Sequence, residues 1–409
     1  MGKNKVIVIG GGASGIMAAI TAARLGQNVI LLERKDRIGK KILATGNGRC
    51  NISNRYIEES RFHSDSQNLY DQIYPQFDLN KTLAFFEALG IPILELEEGK
   101  LYPYSLQAAS VLNVLLYELD RQKVQVFCNE DVVRVDVSQR VVVQTKKKKY
   151  YGDKVVMACG GKSTPDLGSN GSGFKLAKDL GLNMIEPYPS LIQLESNYAY
   201  LKHLKGTKVM AKVDLVVEDV HLKSAYGELL FTDYGLSGPP ILDVSRTAAQ
   251  GIKNNKKKIE IHGDLVPLLD RAELEQMLLK RIESMSYKVL EDFFVGLLPK
   301  QMIIPLIKDC GMSPRDKGAQ ITSRQREMIV SWLKAFKLNI TGTRQWNQSQ
   351  VTAGGVDCRE VDGTRLTCKK QPNVILCGEM LDMDGDCGGF NLQWAWSSGY
   401  VAGVSAGKE

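Results

Sequence analysis

The chain opens with an apolar run, Val6 to Ile9, then a glycine-rich turn, then a segment from Ile16 to Leu25 built mostly of small apolar residues. The run predicts a buried strand. The segment predicts a helix that lies close on a sheet and is closed by Gly26. A second apolar run, Val29 to Leu32, completes a strand–helix–strand opening, the start of a doubly wound parallel sheet. Residues 111–120, VLNVLLYELD, carry helical periodicity. VQVFCN, DVVRVDV, RVVVQT and YGDKVVMACGG follow with polar turns between them and predict consecutive strands, a small β-meander before the sheet resumes near Val155.

From about Ser190 the pattern changes. KVMAKVDLVVED, HLKSAYGELLFT and KKIEIHGDL alternate as antiparallel strands do, after which helical periodicity takes over. DRAELEQMLLKRIESM opens with Asp270 and Glu273 at capping-box spacing, and Thr322 with Gln325 repeats the signal ahead of MIVSWLKAF. The middle of the chain therefore reads as a β-subdomain carrying an inserted helical bundle. Another strand is expected around Lys337 to Ile340, and beyond Thr352 the glycine-rich α/β style returns. No internal repeat is apparent.

Length and composition narrow the class. A chain of 409 residues fits two or three domains, and 44% hydrophobic with 24% charged residues is a globular balance. No stretch approaches the roughly 18 uninterrupted apolar residues of a membrane span. The first apolar run is too short for a signal peptide, and the Met1-Gly2 start lacks the hydroxyl residue of a myristoylation signal, position 6 being Val. A cytoplasmic location is expected. The eight cysteines include no CxxC pair and read as free thiols, and the four histidines are not spaced to share a helix face, so no metal site is expected. Net charge is +7, with lysines gathered at 146–149 and 253–258. These runs read better as solvated hairpin tips than as a nucleic-acid surface, because aromatic residues interleave only at Tyr150 and Tyr151.

The chemistry begins at Gly10, Gly12 and Gly15 in VIVIGGGASGIMAA, a GxGxxG between strand and helix. Gly10 permits the tight turn, Gly12 admits a pyrophosphate to the backbone, and Gly15 lets helix and strand pack closely. The helix amino terminus offers unpaired N–H groups and a positive dipole end. Glu33, at the end of the second strand, is placed to accept from ribose hydroxyls and to repel a 2′-phosphate. Three later segments favour FAD over NAD: the glycine-bearing 39–54 loop, the strand ending at Gly160-Gly161, and residues 374–403, where Gly378-Glu379 ends a strand and Gly388-Gly389 opens a helix with Leu392, Ala395, Trp396 and Gly399 at helical spacing. That helix amino terminus could face the pyrimidine end of an isoalloxazine ring, where negative charge gathers on reduction.

GGGASG (10–15), GNGRCNISN (46–54), ACGGKSTPDLGSNGSGF (158–174), LLFTDYGLSGPPIL (229–242), TAGGV (352–356) and CGEMLDMDGDCGGFNLQWAWSSG (377–399) together resemble the YhiN/BaiN-like FAD-dependent oxidoreductases, which include enzymes described as aminoacetone oxidases. The resemblance runs over essentially the whole chain. It implies an α/β fold: a discontinuous Rossmann-type FAD-binding domain (1–190 and 345–409), an inserted antiparallel β-barrel-like domain (191–265 and 336–344) and a small helical domain (266–335). The expected cofactor-binding set is Gly10, Gly12, Ala13, Ser14, Gly15, Glu33, Arg34, Lys41, Asn51, Val133, Gly160, Gly378, Glu379, Gly389, Asn391 and Leu392. Two departures bear on the substrate side: GSNGSG, with Asn170 and Ser172, where relatives commonly carry GSTGDG, and Phe231-Thr232-Asp233 where many carry FTH.

The expected activity is hydride transfer at flavin N5 to or from a small organic substrate, which needs orientation more than a side-chain acid. No catalytic residue is assigned. Arg49 is a candidate to stabilise an anionic substrate or the reduced flavin, with a structural ion pair as the alternative. Cys50 and Cys387 raise a redox or flavinylated thiol, against which inert packing is favoured. Tyr234 is a candidate proton donor with a packed turn residue as its alternative, and Ser237 with Pro239 reads as the cap and first turn of a helix. Without a second GxGxxG, NAD(P)H would bind transiently at the flavin face if the protein is a reductase; oxygen would take the electrons if it is an oxidase. A flavin-dependent RNA-modifying enzyme and a flavin redox sensor are the competing functions. The oligomeric state is not legible.

Overall fold

The structure, a computed structural model, describes residues 4–408; the Met1-Gly2 start lies outside them. Contacts divide the chain into two compact units, 1–189 with 350–409 and 190–349.

The first unit is organised by a five-stranded parallel sheet. Its elements are β1 (Lys5–Ile9), α1 (Ala13–Arg24), β2 (Asn28–Leu32), α2 (Ala108–Arg121), β3 (Gln125–Phe127), β4 (Lys154–Met157), β5 (Val374–Leu376) and α3 (Phe390–Gly407). The strand order is β5-β4-β1-β2-β3. In β1, β2, β4 and β5 every residue but the first of a strand is buried or the whole strand is, as continuous apolar runs covered on both faces require. VQVFCN therefore belongs to this sheet, with Ile30 opposite Gln125, and not to the meander; only Val132–Asp136, Val141–Thr145 and Lys149–Gly152 form the separate antiparallel sheet. The crossover through α2 makes β3 parallel to its neighbour, where a hairpin would have reversed it.

Helix α1 lies under α3 at van der Waals range because the facing positions are small. A Cβ on Gly399 would meet the Ser14 carbonyl oxygen at 2.4 Å, and one on Gly403 would meet Thr21 Cβ at 2.5 Å. Trp396, wholly buried, anchors α3 from its other side by donating from Nε1 to the Ile52 carbonyl at 3.0 Å.

The second unit is a closed barrel of Leu194–Ser196, Gly235–Ser237, Val220–Phe231, Lys208–Val217, Ile259–Asp264 and Phe336–Thr343, in that order around the ring. One hydrophobic cluster joins its interior, including Val213, Leu215 and Phe231, to Leu274, Phe293, Ile303 and Val330 of the inserted helices. Both capping boxes form: Asp270 accepts from the Glu273 N–H, and Thr322 from the Gln325 N–H. Pro239 does start a helix, Pro239–Lys253, but Gly238 occupies the cap position and Ser237 ends the preceding strand.

The lysine runs are engaged locally. Lys146 pairs with Asp131 at 2.7 Å, Lys148 lies over the rings of Phe127 and Tyr150, and the Lys257 and Lys258 N–H groups donate to Glu218. Among the described residues no helix is long and apolar enough to cross a membrane, and no group of three His, Cys, Asp or Glu is placed to hold a metal ion. All eight cysteines are free.

Candidate functional site

In the first unit the glycine segments from the two ends of the chain converge. Gly10 sits at φ +106, and a Cβ there would meet the Ala158 carbonyl oxygen at 2.3 Å, so the residues after β4 cross directly over the first turn. Gly15 is closed equally tightly, its Cβ position 1.9 Å from the Gly10 carbonyl oxygen. Gly12 differs from both: a Cβ there meets nothing within 4 Å. It caps α1 at φ −83 and ψ −173, with no side chain satisfying the first-turn N–H groups. That open cradle at a helix amino terminus is the shape and polarity a diphosphate needs.

Gly378, from the other end of the chain, completes the junction. Its Cβ position lies 2.4 Å from Ser14 Oγ, and its φ of +67 is one that glycine adopts freely. Helix α3 fixes this turn, with the Ser398 hydroxyl accepting the Gly378 N–H at 3.0 Å and Trp394 Nε1 donating to the Gly378 carbonyl at 3.1 Å. Glu379 then accepts from Lys41 Nζ at 2.9 Å and from the Thr352 N–H at 2.7 Å. Thr352 Oγ1 in turn accepts the Lys162 and Ser163 N–H groups at 2.8 and 3.1 Å, binding the loop after Gly160 into the same cluster. Thr352 stands in the TAGGV motif, yet its role as the joint between Glu379 and residues 162–163 had no sequence signal.

Glu33 is 9% exposed at the end of β2, and its carboxylate accepts the Gly11 and Lys35 N–H groups, each at 2.8 Å. It thereby rigidifies the glycine turn. Its main chain exchanges hydrogen bonds with Phe127 and Glu130, which leads to the strand bearing Val133, 40% exposed. Arg34 lies beside Asp131, its Nε 3.8 Å away. The segment 39–54 is not wholly loop: Lys40–Ala44 is a short helix capped by Gly39 at φ +73. Asn51 is brought against α3, since a Cβ on Gly389 would meet Ser53 O at 2.4 Å and Asn51 Oδ1 at 2.9 Å. Asn391 turns its side chain back, accepting from Gly385 N and donating to Gly385 O, and Ala13 and Leu392 are partly buried at the starts of their helices.

Two buried polar atoms among these residues have no hydrogen-bond partner among the described residues, Arg34 Nη1 and Asn51 Oδ1. Such atoms are uncommon in folded chains, and a bound group is one source of the missing partner. Together with the open cradle at Gly12 they fit a dinucleotide laid from Arg34 and Glu33, past α1, to the start of α3.

The matching family description is "HI0933-like protein Rossmann domain", and it covers residues 4–405. The chain belongs to the HI0933-like family. Over 408 residues it is 36% identical to a 3-dehydro-bile acid delta(4,6)-reductase of Clostridium scindens, covering 99% of each chain. It is 27% identical over 410 residues to a ribosomal RNA dihydrouridine synthase of Haemophilus influenzae, with 98% of each chain covered. The Escherichia coli protein of the same name is 28% identical over 402 residues, covering 98% of this chain and 97% of its own. As an HI0933-like protein the chain is an FAD-dependent oxidoreductase with a Rossmann-type FAD-binding domain.

Arg49 is exposed, lies 5.0 Å from the Tyr102 ring centroid and makes no ion pair among the described residues, so its alternative as an ion-pair residue fails. Cys50 is wholly buried, and burial pushes its thiol up to about 12, which leaves no nucleophilic thiolate. Cys387 is partly buried. In the second unit Tyr234 packs under the Arg344 guanidinium at 4.4 Å, the packed-turn alternative, and Asp233 pairs with Lys205 at 2.7 Å.

Proposed function

We propose that the chain reduces a carbon–carbon double bond conjugated to a carbonyl in a small organic substrate, with NAD(P)H as a transient reductant at the flavin face. The observation that supports cofactor binding in this reading is the close approach of Gly378 to Ser14, which sets the turn from the end of the chain beside the first glycine turn, where both would grip FAD. Bound FAD would supply a two-electron carrier able to take and give hydride. The protein's part is to hold and orient it. The N–H groups at the start of α1 would receive the diphosphate; Arg34, Glu33 and Val133 would flank the adenosine; Glu379 and Lys41 would meet the ribityl chain; and Asn51, Gly389, Asn391 and Leu392 would frame the pyrimidine edge. The domain boundaries expected from the sequence, 1–190 with 345–409, 191–265 with 336–344, and 266–335, belong to the same proposal.

The choice of an electron-poor double bond is supported by the names of the relatives, a delta(4,6)-reductase and two dihydrouridine synthases. The choice of a small molecule over RNA is supported by the higher identity to the former and by the ion pairs that Lys146 and Lys258, one in each lysine run, make with Asp131 and Asp219. Eight free cysteines favour the reducing cytoplasm. Anaerobic stopped-flow mixing with NADH or NADPH tests the proposal: the flavin absorbance should bleach and return when an unsaturated ketone is added. Failure to bleach, with peroxide formed from an amine in air, would mark an oxidase instead.

A further inference from the structure

His63 belongs to the two-residue strand Phe62–His63, which pairs antiparallel with Asp384–Gly385, His63 opposite Asp384. Its Nε2 lies 2.9 Å from Asp386 Oδ1. Asp386 is only 12% exposed, and its other oxygen takes Arg61 Nη1 at 3.3 Å, whereas His63 remains 25% exposed. A half-sheltered imidazole with one nitrogen on a carboxylate is held in one orientation, and its second nitrogen is left for proton exchange.

The dyad also has a place. A Cβ on Gly385 would meet Phe390 Cβ at 2.8 Å, so the strand next to Asp386 lies on the first turn of α3. Asn391 Nδ2 donates to the Asp386 carbonyl at 3.2 Å. From the partner strand, Phe62 meets the Phe390 ring edge-on at 6.1 Å, and the Arg61 guanidinium lies 5.6 Å from the same ring. Independent contacts thus hold both strands of the dyad against the amino terminus of α3.

We propose that His63 is a catalytic residue, the proton donor of the reduction, positioned by Asp386. This rests on the reading that the reacting end of FAD lies at the start of α3. Bound FAD, reduced by NAD(P)H, would supply a hydride to the β carbon while the double-bond electron pair moves toward the carbonyl. The α carbon then takes the proton from the His63 Nδ1–H, whose N–H bond breaks. The neutral imidazole recovers a proton from water. Asp386 keeps Nε2 occupied, which leaves Nδ1 as the nitrogen that gives up the proton.

The test uses the full chain labelled with 15N-histidine, freed of flavin, with the His63 signal assigned through His63→Gln. Addition of FAD should move the His63 signal, and anaerobic reduction with dithionite should move it again, while His203, His221 and His262 stay in place. Bound FAD with an unmoved His63 signal would overturn the proposal alone; no uptake of FAD would overturn the site on which it rests. In the second arm, reoxidation of the dithionite-reduced protein by 2-cyclohexenone should fall about a hundredfold in His63→Gln at equal FAD content. An equal rate in the variant would overturn the proton-donor role, and no reoxidation of the unaltered protein would overturn the double-bond chemistry and this proposal with it.

Discussion

Replacing Gly12 by alanine separates cofactor binding from folding, because Gly12 is the one glycine of the first turn whose Cβ position is open. Its φ of −83 and ψ of −173 are ordinary for alanine. Loss of glycine freedom in the unfolded chain stabilises by about 0.4–1 kcal/mol, and the poorer cap works against this by about as much. The flavin-free variant should therefore unfold within about 1 kcal/mol of the parent. The added methyl, however, stands where the diphosphate must approach, and overfilling a packed contact by one carbon costs about 1–3 kcal/mol. FAD affinity should fall by about tenfold to a hundredfold. At a ligand concentration of about 100 times the parent Kd, stabilisation by FAD would drop from about 2.7 kcal/mol to about 1.4 or less. Thermal unfolding of flavin-free protein with and without FAD reads both quantities. Gly15→Ala is the contrast, since its methyl would sit 1.9 Å from the Gly10 carbonyl oxygen; it should destabilise the flavin-free chain by about 3 kcal/mol. If Gly12→Ala unfolded as early as Gly15→Ala, or took up FAD as tightly as the parent, the assignment of the cradle would be wrong.

Four further outcomes are expected. Burial pushes the thiols of Cys50, Cys159 and Cys377 up to about 12 from an ordinary 9.0, so they should resist a disulfide reagent at neutral pH in the native protein. Because the folded values are raised, their contribution to stability is complete below pH 9 and is lost as pH rises toward about 12; urea unfolding across that range should show a steeper alkaline loss in the parent than in a triple alanine variant. Trp396→Phe removes the donor to the Ile52 carbonyl in a fully buried setting and should cost about 1–3 kcal/mol in the same assay. Retention on immobilised tRNA should be weak at low salt and unchanged by Lys146→Ala with Lys147→Ala; strong, salt-sensitive retention lost in that variant would restore the RNA reading.

What the sequence displayed was local. Gly10, Gly12 and Gly15 between two apolar runs, the capping pairs Asp270/Glu273 and Thr322/Gln325, and the Gly389 start of α3 each announce themselves within a few residues, and each is in place. What it concealed depends on partners far along the chain. Strand β3 looked like one more member of a meander because only topology decides whether a short strand is parallel or antiparallel to its neighbour. Ser53–Asn54, Ile93–Glu95 and Lys100–Pro103 form a sheet with strands too short to show a period, so it went unread. The helix from Pro239 was visible in its proline but not in its cap, since Gly238 leaves no side-chain signal and Ser237 imitates one. Thr352 with Glu379, and His63 with Asp386, are hydrogen bonds between segments with no shared pattern; only the folded backbone brings them together.

The central claim is that segments from both ends of one chain grip the two halves of a single FAD. Flavin-free protein titrated with FAD, followed by quenching of flavin fluorescence, tests it most directly when FMN is run beside it. The account predicts saturation at one FAD per chain and far weaker uptake of FMN, which lacks the adenosine half that Glu33, Arg34 and the α1 amino terminus would hold. No saturable uptake, or equal affinity for FMN, would contradict it.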